Sequence, residues 1–259
     1  MKITKDMLIG DVLDIDVGCA EYFFEIGMHC LGCPSARGES VEMACEVHGV
    51  DADELVEKLN ADESVNGILC QLPLPKHLDE NEACEALAPE KDVDGITRGS
   101  MASIYSGKGA GFAPCTAESC IEILKYNGIE MSGKRAVVIG RSLVIGKPVA
   151  MLLMANNATV TVCHSRTKDM PSVVREADIV IACLGRAEMI TADYFAPGQT
   201  VLDVGINWSE EKNKLVGDVA FDEVEPIVDA ITPVPGGVGS GTTAVLIRHV
   251  VEAAEKATA

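Results

Sequence analysis

Residues 134–148 read Lys-Arg-Ala-Val-Val-Ile-Gly-Arg-Ser-Leu-Val-Ile-Gly-Lys-Pro, and this stretch decides the fold. The apolar run at 136–139 is rich in β-branched residues, which is typical of a strand at the centre of a parallel sheet. Gly140 permits a sharp turn after that strand, and Pro148 suits the first turn of a following helix. Because free N–H groups and the dipole at a helix start attract anions, the pattern predicts a phosphate-binding turn.

The next apolar strand, at 158–163, ends in His164-Ser165-Arg166-Thr167. Folds that bind NAD usually place an acidic residue there, about 20 residues after the glycines, to hold the ribose hydroxyl. Ser165 can instead donate to a 2′-phosphate, and Arg141 or Arg166 can pair with it. The charge pattern therefore favours NADP over NAD. The glycine spacing is not G-x-G-x-x-G, so a turn that binds nothing is the alternative interpretation.

Composition limits the possible partners. The chain has 259 residues, 47% of them hydrophobic, and a formal net charge of -19, which argues against sequence-independent attraction to nucleic acid. No apolar run approaches the roughly 20 residues that cross a bilayer, and residues 1–6 are not followed by the apolar core of a signal peptide. We therefore expect a soluble cytoplasmic protein, with no membrane partner, that binds anionic ligands through local groups.

The ten cysteines are spread thinly, so most are expected to be reduced and buried. One pair lies in residues 27–34, Gly-Met-His-Cys-Leu-Gly-Cys-Pro, which resemble a small C-x-x-C domain of unassigned function sometimes attached to redox proteins. Cys30 and Cys33 are a candidate reversible disulfide. Two buried thiols are an equal alternative. A zinc site needs two further ligands and is less favoured, so no metal site is predicted.

The pattern of apolar residues changes along the chain. Residues 1–60 show helical spacing and predict three short helices. From Gly67 onward, strands and helices alternate, which predicts a parallel sheet covered on both faces. The predicted strands lie at 68–72, 135–139, 158–163, 178–183 and 200–204, and the predicted helices near 80–87, 116–126 and 244–254.

Three loops concentrate residues that can bind ligands. Residues 71–75, Gln-Leu-Pro-Leu-Pro, combine a rigid backbone with an amide that donates and accepts. Residues 91–95, Lys-Asp-Val-Asp-Gly, offer a carboxylate able to hold a heterocycle through two parallel hydrogen bonds. Residues 232–243 are rich in glycine and lead into a helix. Each loop also has a purely structural interpretation.

Taken together, these segments resemble the bifunctional methylenetetrahydrofolate dehydrogenase/methenyltetrahydrofolate cyclohydrolase, or FolD, family over about residues 62–258. The segments in the family's order are 71–75, 92–95, 114–116, 140–142, 164–167, 203–207, 217–219 and 233–239. The resemblance implies an NADP domain of Rossmann type, a folate cleft between two domains, tetrahydrofolate derivatives as partners, and a homodimer.

The expected fold class is therefore α/β: a Rossmann-type parallel sheet plus a truncated α/β catalytic domain, preceded by a small all-helical domain. The expected boundaries are 1–61 for the helical C-x-x-C domain, 62–126 with 241–259 for the catalytic remnant, and 127–240 for the NADP domain.

Site residues follow from the same resemblance, supplemented by Arg166 from the charge pattern. Gln71 and Asp94 are expected at the reacting and pterin ends of the folate and are the predicted catalytic residues. The other predicted substrate-binding residues are Pro73, Pro235, Gly236, Gly237 and Thr242. The predicted cofactor-binding residues are Gly140, Arg141, Ser142, Ser165, Arg166 and Ile206.

Two features depart from the family. Ser240-Gly241 stands where many members have proline and methionine, and we expect a looser loop there. The family also carries a tyrosine and, four residues later, a proton-handling lysine; here Tyr22 is followed by Ile26, and no lysine lies between Lys5 and Lys58. We therefore expect the cyclohydrolase step to suffer more than hydride transfer.

Three hypotheses follow. The first is an NADP-linked oxidation of 5,10-methylenetetrahydrofolate to the methenyl form, with possible hydrolysis to 10-formyltetrahydrofolate, in one-carbon metabolism. The second is a catalytically silent NADP-binding protein whose C-x-x-C domain senses redox state or recruits a partner. The third is a fusion that never acts alone, or a chain that joins pieces that do not belong together. Lys76 and Lys91, beside the matching motifs, are candidate substitutes for the absent lysine.

Overall fold

The chain forms two compact units in a computed structural model, which describes residues 7–15, 20–25, 40–41, 61–62, 64–70, 84 and 86–258. The smaller unit comprises 1–100, 110–112 and 249–259. The larger unit comprises 101–109 and 113–248. None of the described helices is both long and apolar enough to cross a membrane.

A parallel sheet forms the centre of the larger unit, all of which is described. Its strands are β1 (Arg135–Ile139), β2 (Thr159–Cys163), β3 (Ile179–Ala182), β4 (Thr200–Asp203) and β7 (Ala230–Ile231), in the order β2-β1-β3-β4-β7. A separate antiparallel hairpin pairs β5 (Asn207–Ser209) with β6 (Lys214–Val216). The predicted α/β fold with a parallel sheet is confirmed. Strand progression reverses between β1 and β3, which places a topological switch point at their carboxyl ends.

Alternation along the strands creates two cores, one on each face of the sheet. One core holds Ala136, Val138, Ile179, Ile181 and Leu202, and the other holds Val137, Ile139, Val180, Ala182 and Val201. Both faces are therefore buried, as the continuous apolar runs in the sequence predict.

Helices cover both faces. Helix α4 (Cys115–Tyr126) and helix α5 (Gly146–Ala155) pack on the first core through Ile121, Leu124 and Leu153. Helix α6 (Met170–Arg175) and helix α7 (Phe221–Val224) contribute Val174 and Val224 to the second core, and a short 3-10 turn spans Ala192–Tyr194. Residues 113–126 thus belong to the unit that contains the sheet, whereas the sequence assigned them to the catalytic remnant.

The smaller unit includes α1 (Ile9–Ile15), α2 (Ala20–Glu25) and the first three residues of α3 (Arg98–Ser106). Its described core groups Ile68 with Cys70 and Leu87, and Ile68 pairs with Asp92 in a single parallel bridge. The first two predicted short helices are confirmed at α1 and α2. The predicted strand from residue 68 is reduced to that bridge in the described residues.

The last helix, α8, runs from Val238 to Thr258 and begins six residues before the predicted start at residue 244. The glycines at 239 and 241 therefore lie inside the helix. A Cβ at Gly241 would come within 2.3 Å of the Ser119 Oγ on α4, so a glycine here allows the two helices to approach closely. The expectation of a looser loop at Ser240-Gly241 is wrong, because this segment is helical and closely packed.

Candidate functional site

A cavity of about 290 Å³ opens at the carboxyl ends of β1, β2 and β3. Its position coincides with the switch point of the sheet, where open α/β sheets bind ligands. Its walls are formed by Gly140, Arg141, Ser142, His164, Ser165, Met170, Cys183, Leu184, Arg186, Met189, Ile190 and Tyr194. The size suits part of a nucleotide-sized ligand.

Two glycines shape the turn between β1 and α5. Gly140 has φ +136°, and a Cβ there would lie 2.3 Å from the Cys183 carbonyl oxygen. A Cβ at Gly146 would lie 2.5 Å from the Gly140 carbonyl oxygen. The backbone therefore folds back on itself in a space that no side chain can enter, so that residues 141–144 between the two glycines can approach a ligand closely.

Ser142 anchors this turn to the start of α5. Its hydroxyl accepts from the backbone N–H groups of Ile145 (3.2 Å) and Gly146 (3.3 Å), and its carbonyl accepts from the Lys147 N–H (3.0 Å). These contacts satisfy donors that a helix start leaves unpaired. The positive end of the α5 dipole is thereby held next to the cavity.

The cavity wall is positively charged. Arg141 and Arg186 both contribute to it, and no aspartate or glutamate is among the wall residues in this fully described unit. In a chain with a net charge of -19, such a wall is a local exception that attracts an anion. The glycine turn, the helix start and two arginines together fit the phosphates of a dinucleotide, and Ser165 lies where an NAD enzyme would carry an acid.

The structure brings four of the six predicted cofactor residues to this cavity: Gly140, Arg141, Ser142 and Ser165. Arg166 and Ile206 are not in its wall. The Arg166 backbone N–H donates to His164 Nδ1 (3.2 Å), and Ile206 lies after β4 with 61% of its surface exposed.

Sequence reasoning missed Arg186 and Tyr194, which also form the wall. No motif marks them. For Arg186, the available signal was its place in the loop directly after β3, because the carboxyl ends of parallel strands meet at one edge of the sheet.

A buried carboxylate supports the loop after β3. Asp218 accepts hydrogen bonds from the backbone N–H groups of Leu184, Gly185 (2.9 Å) and Arg186 (2.8 Å), and from the Asn207 side chain (3.0 Å). Its side chain is fully buried. The sequence segments 203–207 and 217–219, noted only for their family resemblance, therefore build the support of the cavity wall.

A second carboxylate lies beside the first. Asp203, at the end of β4, accepts from the N–H groups of Asp218 (2.9 Å), Val219 (2.9 Å) and Gly205 (3.1 Å). Burial raises the pKa of Asp203 to about 6, against the opposing effect of these three donors. A Cβ at Gly217 would lie 1.8 Å from Asp203 Oδ2, so this position requires glycine.

The raised pKa of Asp203 predicts a pH effect on stability. The pKa of Asp203 is about 6 in the folded chain, against an ordinary value of 3.8 that applies when the chain is unfolded. Protonation of Asp203 therefore stabilises the fold below about pH 4, and this stabilisation is lost as the pH rises through about 6. Its size is at most about 3 kcal/mol, at 1.36 kcal/mol per pKa unit. We expect the free energy of unfolding of the wild type to decrease, relative to Asp203→Asn, between about pH 4.5 and about pH 7.5.

Urea unfolding of both proteins at the two pH values measures this difference. Asp203→Asn lowers stability at either pH because its amide faces the Val219 N–H, so the change with pH is the quantity to compare. Parallel pH dependences in the two proteins would contradict the prediction.

The thiols near the cavity are protonated groups. Burial raises the pKa of Cys183, in the cavity wall, to about 12. Burial also raises the pKa of Cys163 at the end of β2 and of Cys120 in α4. These cysteines are therefore neutral packing groups and not nucleophiles at neutral pH.

The loop at 91–95 contains one carboxylate with a structural role. Asp92 is fully buried and accepts from the backbone N–H groups of Ile96 (3.1 Å) and Thr97 (2.8 Å) and from the Ser100 hydroxyl (2.7 Å). These bonds fix the start of α3. Asp94, the predicted pterin contact, is half-buried in the same loop. His249 Nδ1 contacts the Val93 carbonyl at 2.9 Å and further orders this loop.

The predicted substrate segment at 233–243 is a turn followed by α8. Pro235 and Gly236 are exposed, Gly236 has φ +98°, and Gly237 packs against the Pro233 carbonyl. The Thr242 hydroxyl donates to the Val238 carbonyl (3.1 Å), which is a bond within the helix. Thr242 therefore already has a backbone partner.

Four predicted residues, Gln71, Pro73, Cys30 and Cys33, lie outside the described residues. Among the residues that are described, no group of three or more His, Cys, Asp or Glu side chains has the arrangement of a metal site.

The sequence matches known families over most of its length. Residues 114–258 match the family described as tetrahydrofolate dehydrogenase/cyclohydrolase, NAD(P)-binding domain, and residues 34–94 match its catalytic domain. Residues 3–56 match a domain of unknown function, DUF1858. Because the catalytic-domain match begins at residue 34, the expectation that the likeness begins near residue 62 is too narrow.

Several relatives carry this likeness. The bifunctional protein FolD of Carboxydothermus hydrogenoformans is 53% identical over 225 residues, which cover 84% of this chain and 78% of that protein. FolD of Agathobacter rectalis is 50% identical over 217 residues, covering 84% and 77%.

Solved structures agree. The bifunctional 5,10-methylenetetrahydrofolate dehydrogenase/cyclohydrolase of Thermoplasma acidophilum is 36% identical with a TM-score of 0.75, covering 80% of this chain and 73% of that one. FolD of Trypanosoma brucei, solved with NADP cofactor and an inhibitor, is 34% identical with a TM-score of 0.73, covering 83% and 80%. This chain belongs to the tetrahydrofolate dehydrogenase/cyclohydrolase family.

Proposed function

We propose that this chain is a methylenetetrahydrofolate dehydrogenase/cyclohydrolase. It oxidises 5,10-methylenetetrahydrofolate to the methenyl form with NADP and hydrolyses that product to 10-formyltetrahydrofolate, in one-carbon metabolism. The activity follows from membership of the family and from relatives about 50% identical to this chain. The observation in the structure that carries it is the cavity at the switch point, with a glycine turn and two arginines in its wall.

The residues of the cavity fit NADP. The N–H groups of residues 141–144, in the turn between Gly140 and Gly146, would hold the pyrophosphate, and Arg141 and Ser165 would hold the 2′-phosphate. NADP, once bound, supplies the acceptor for the hydride that leaves the methylene carbon. The contribution of the chain to this step is alignment of the two rings and exclusion of water, which need no protein acid.

On the folate side, the proposal rests on the family resemblance. Gln71 and Asp94 take the catalytic positions, and the substrate-binding residues are Gln71, Pro73, Asp94, Pro235, Gly236, Gly237 and Thr242. The buried Asp92 carboxylate in the same loop has a structural role at the start of α3 and is not part of this proposal. We also propose a homodimer, which light scattering of the purified chain would test.

A coupled assay tests the dehydrogenase. The purified chain, given 5,10-methylenetetrahydrofolate and NADP, is expected to form NADPH, with NAD as a much poorer acceptor. NADP binding without turnover would instead support the second candidate, a silent nucleotide-binding protein in which Cys30 and Cys33 form a redox-sensing pair. The observations that favour that candidate are the C-x-x-C sequence and the lack of a Tyr-x-x-x-Lys pair in residues 1–61.

Substitutions of the two arginines predicted for the 2′-phosphate are expected to have different effects on kcat/KM for NADP. Arg141 is in the cavity wall and Arg166 is not, so Arg141→Met should lose a charge-assisted bond and lower kcat/KM for NADP about 10-fold to 100-fold. Arg166→Met should change it about threefold or less. The kcat/KM for NAD, which lacks the phosphate, serves as the internal control and should hardly change in either variant.

Steady-state kinetics with both cofactors decide this prediction. If kcat/KM for NADP fell more in Arg166→Met than in Arg141→Met, the 2′-phosphate would bind at the turn after β2 and not at the turn after β1.

A further inference from the structure

Three successive backbone N–H groups converge on one buried carboxylate in the larger unit. The donors are Leu184, Gly185 and Arg186, and the acceptor is Asp218; Asn207 Nδ2 adds a fourth bond at 3.0 Å. Successive N–H groups that point to one side form a concave anion site, which here is filled by the protein's own side chain. The conformation of this loop therefore depends on the Asp218 carboxylate.

The carboxylate is itself held in place from two sides. The Asp218 backbone N–H donates to Asp203 Oδ1 at 2.9 Å. Gly205 lies so close that a Cβ there would come within 2.2 Å of Asp218 Oδ1. The Asp218 backbone is therefore anchored to Asp203 and its carboxylate lies against the backbone at Gly205, which together hold its oxygens toward the loop.

The loop held by Asp218 forms part of the cavity. Leu184 and Arg186 contribute to its wall, whereas Asp218 is fully buried behind them and is not in the wall. We propose that Asp218 is a positioning residue for NADP binding: it fixes the backbone of residues 184–186 and thereby places the Leu184 and Arg186 side chains against the cofactor. This inference rests on the proposed use of NADP.

The substitution Asp218→Asn tests the inference. Two donors bind each carboxylate oxygen, so either orientation of the asparagine amide turns its NH₂ group toward two N–H donors. The loop must then shift. We expect KM for NADP to rise about 10-fold or more. KM for methylenetetrahydrofolate, and kcat at saturating NADP, should stay within about threefold of wild type.

Asp229→Asn is the matched control. Asp229 also accepts a backbone N–H, from Gly198 at 3.1 Å, but it is exposed and is not in the cavity wall. The KM of the Asp229→Asn variant for NADP should equal that of the wild type. If Asp218→Asn lowers the melting temperature and leaves KM for NADP unchanged, Asp218 has only a structural role and the inference is overturned.

Hydrogen exchange in the wild-type chain provides a test that needs no variant. The amides of residues 184–186 should exchange about 100-fold or more slowly than unstructured amides, with or without NADP, because the carboxylate already binds them. Rapid exchange at all three would refute the inference even if Asp218→Asn failed to fold. A wild type with slow exchange and no NADPH formation would instead refute the proposed function alone.

Discussion

Replacing Gly140 by alanine is expected to abolish NADP binding and, with it, dehydrogenase activity. The backbone at Gly140 has φ +136°, outside the regions open to a residue with a side chain. The added Cβ would also lie 2.3 Å from the Cys183 carbonyl oxygen and 2.7 Å from Cys183 Sγ. Cys183 directly follows β3, so either the turn after β1 or the backbone after β3 must move.

Either movement displaces the start of α5 from the cavity. Alignment of a bound ring tolerates little displacement, and a shift of about 1 Å costs on the order of 100-fold in rate. We therefore expect kcat/KM for NADP to fall by at least about 100-fold in Gly140→Ala. Titration calorimetry with NADP and the rate of NADPH formation measure the two parts of this loss.

Gly128→Ala is the control for the loss of a glycine as such. Gly128 follows α4 with φ +68°, and nothing lies within 4 Å of a Cβ built there. The substitution Gly128→Ala should cost about 1–2 kcal/mol of stability, the usual cost of a left-handed backbone for residues other than glycine. It should leave KM for NADP unchanged. Wild-type kinetics in Gly140→Ala would mean that the phosphates of NADP do not bind at this turn.

The sequence predicted the parallel sheet, and it marks the glycine turn after β1, because both depend on local patterns. A buried strand with no solvent face is a continuous apolar run, as at 136–139 and 179–182, and such a run needs no knowledge of its neighbours. The turn at Gly140 is marked by the change from that run to glycine, arginine and a helix start. Four of the six predicted cofactor residues consequently lie in the cavity wall.

The support of the cavity wall was not predictable in the same way. Asp218 binds Leu184, Gly185 and Arg186, which lie 34, 33 and 32 residues away in the chain. No local pattern encodes a contact of that separation. The only trace in the sequence is the presence of glycine in both 203–207 and 217–219, where a Cβ would strike a carboxylate.

The start of α8 was misplaced for a different reason. Glycine has low helix propensity, so the run at 236–241 indicates a loop when read by itself. In the folded chain, Gly241 allows α8 to pack against Ser119, whose hydroxyl donates to the Val238 carbonyl at 3.2 Å. Tertiary packing thus outweighs the local preference and extends the helix by six residues.

The hydrolytic step is expected to be slow relative to the oxidation. Opening the methenyl bridge requires attack by water and transfer of protons, for which a positioned side chain contributes about 100-fold to 10,000-fold. Residues 1–61 contain no Tyr-x-x-x-Lys pair of the kind that the resemblance to the family implies. We expect cyclohydrolase kcat/KM to lie below that of the 53% identical Carboxydothermus relative by a factor in this range, with the dehydrogenase affected much less.

The variant Lys91→Met tests whether Lys91 replaces the absent lysine. Its ammonium donates to the Asp62 carbonyl at 2.8 Å, a bond that ties two segments of the smaller unit together. A lysine held in this way is a structural group, so Lys91→Met should lower the melting temperature and leave the ratio of the two activities unchanged. A collapse of hydrolysis in this variant, with oxidation retained, would make Lys91 the replacement for the absent lysine.

The accumulation of methenyltetrahydrofolate directly reports the ratio of the cyclohydrolase rate to the dehydrogenase rate. When the chain is supplied with 5,10-methylenetetrahydrofolate and NADP, a slow second step lets the methenyl product build up while NADPH rises, and 10-formyltetrahydrofolate follows with a lag. If hydrolysis were as fast as oxidation, little of the methenyl intermediate would build up. Equal rates of NADPH and 10-formyltetrahydrofolate formation, without a lag and also in Lys91→Met, would require another proton-handling group, for which Lys76 is the remaining candidate beside the family motifs.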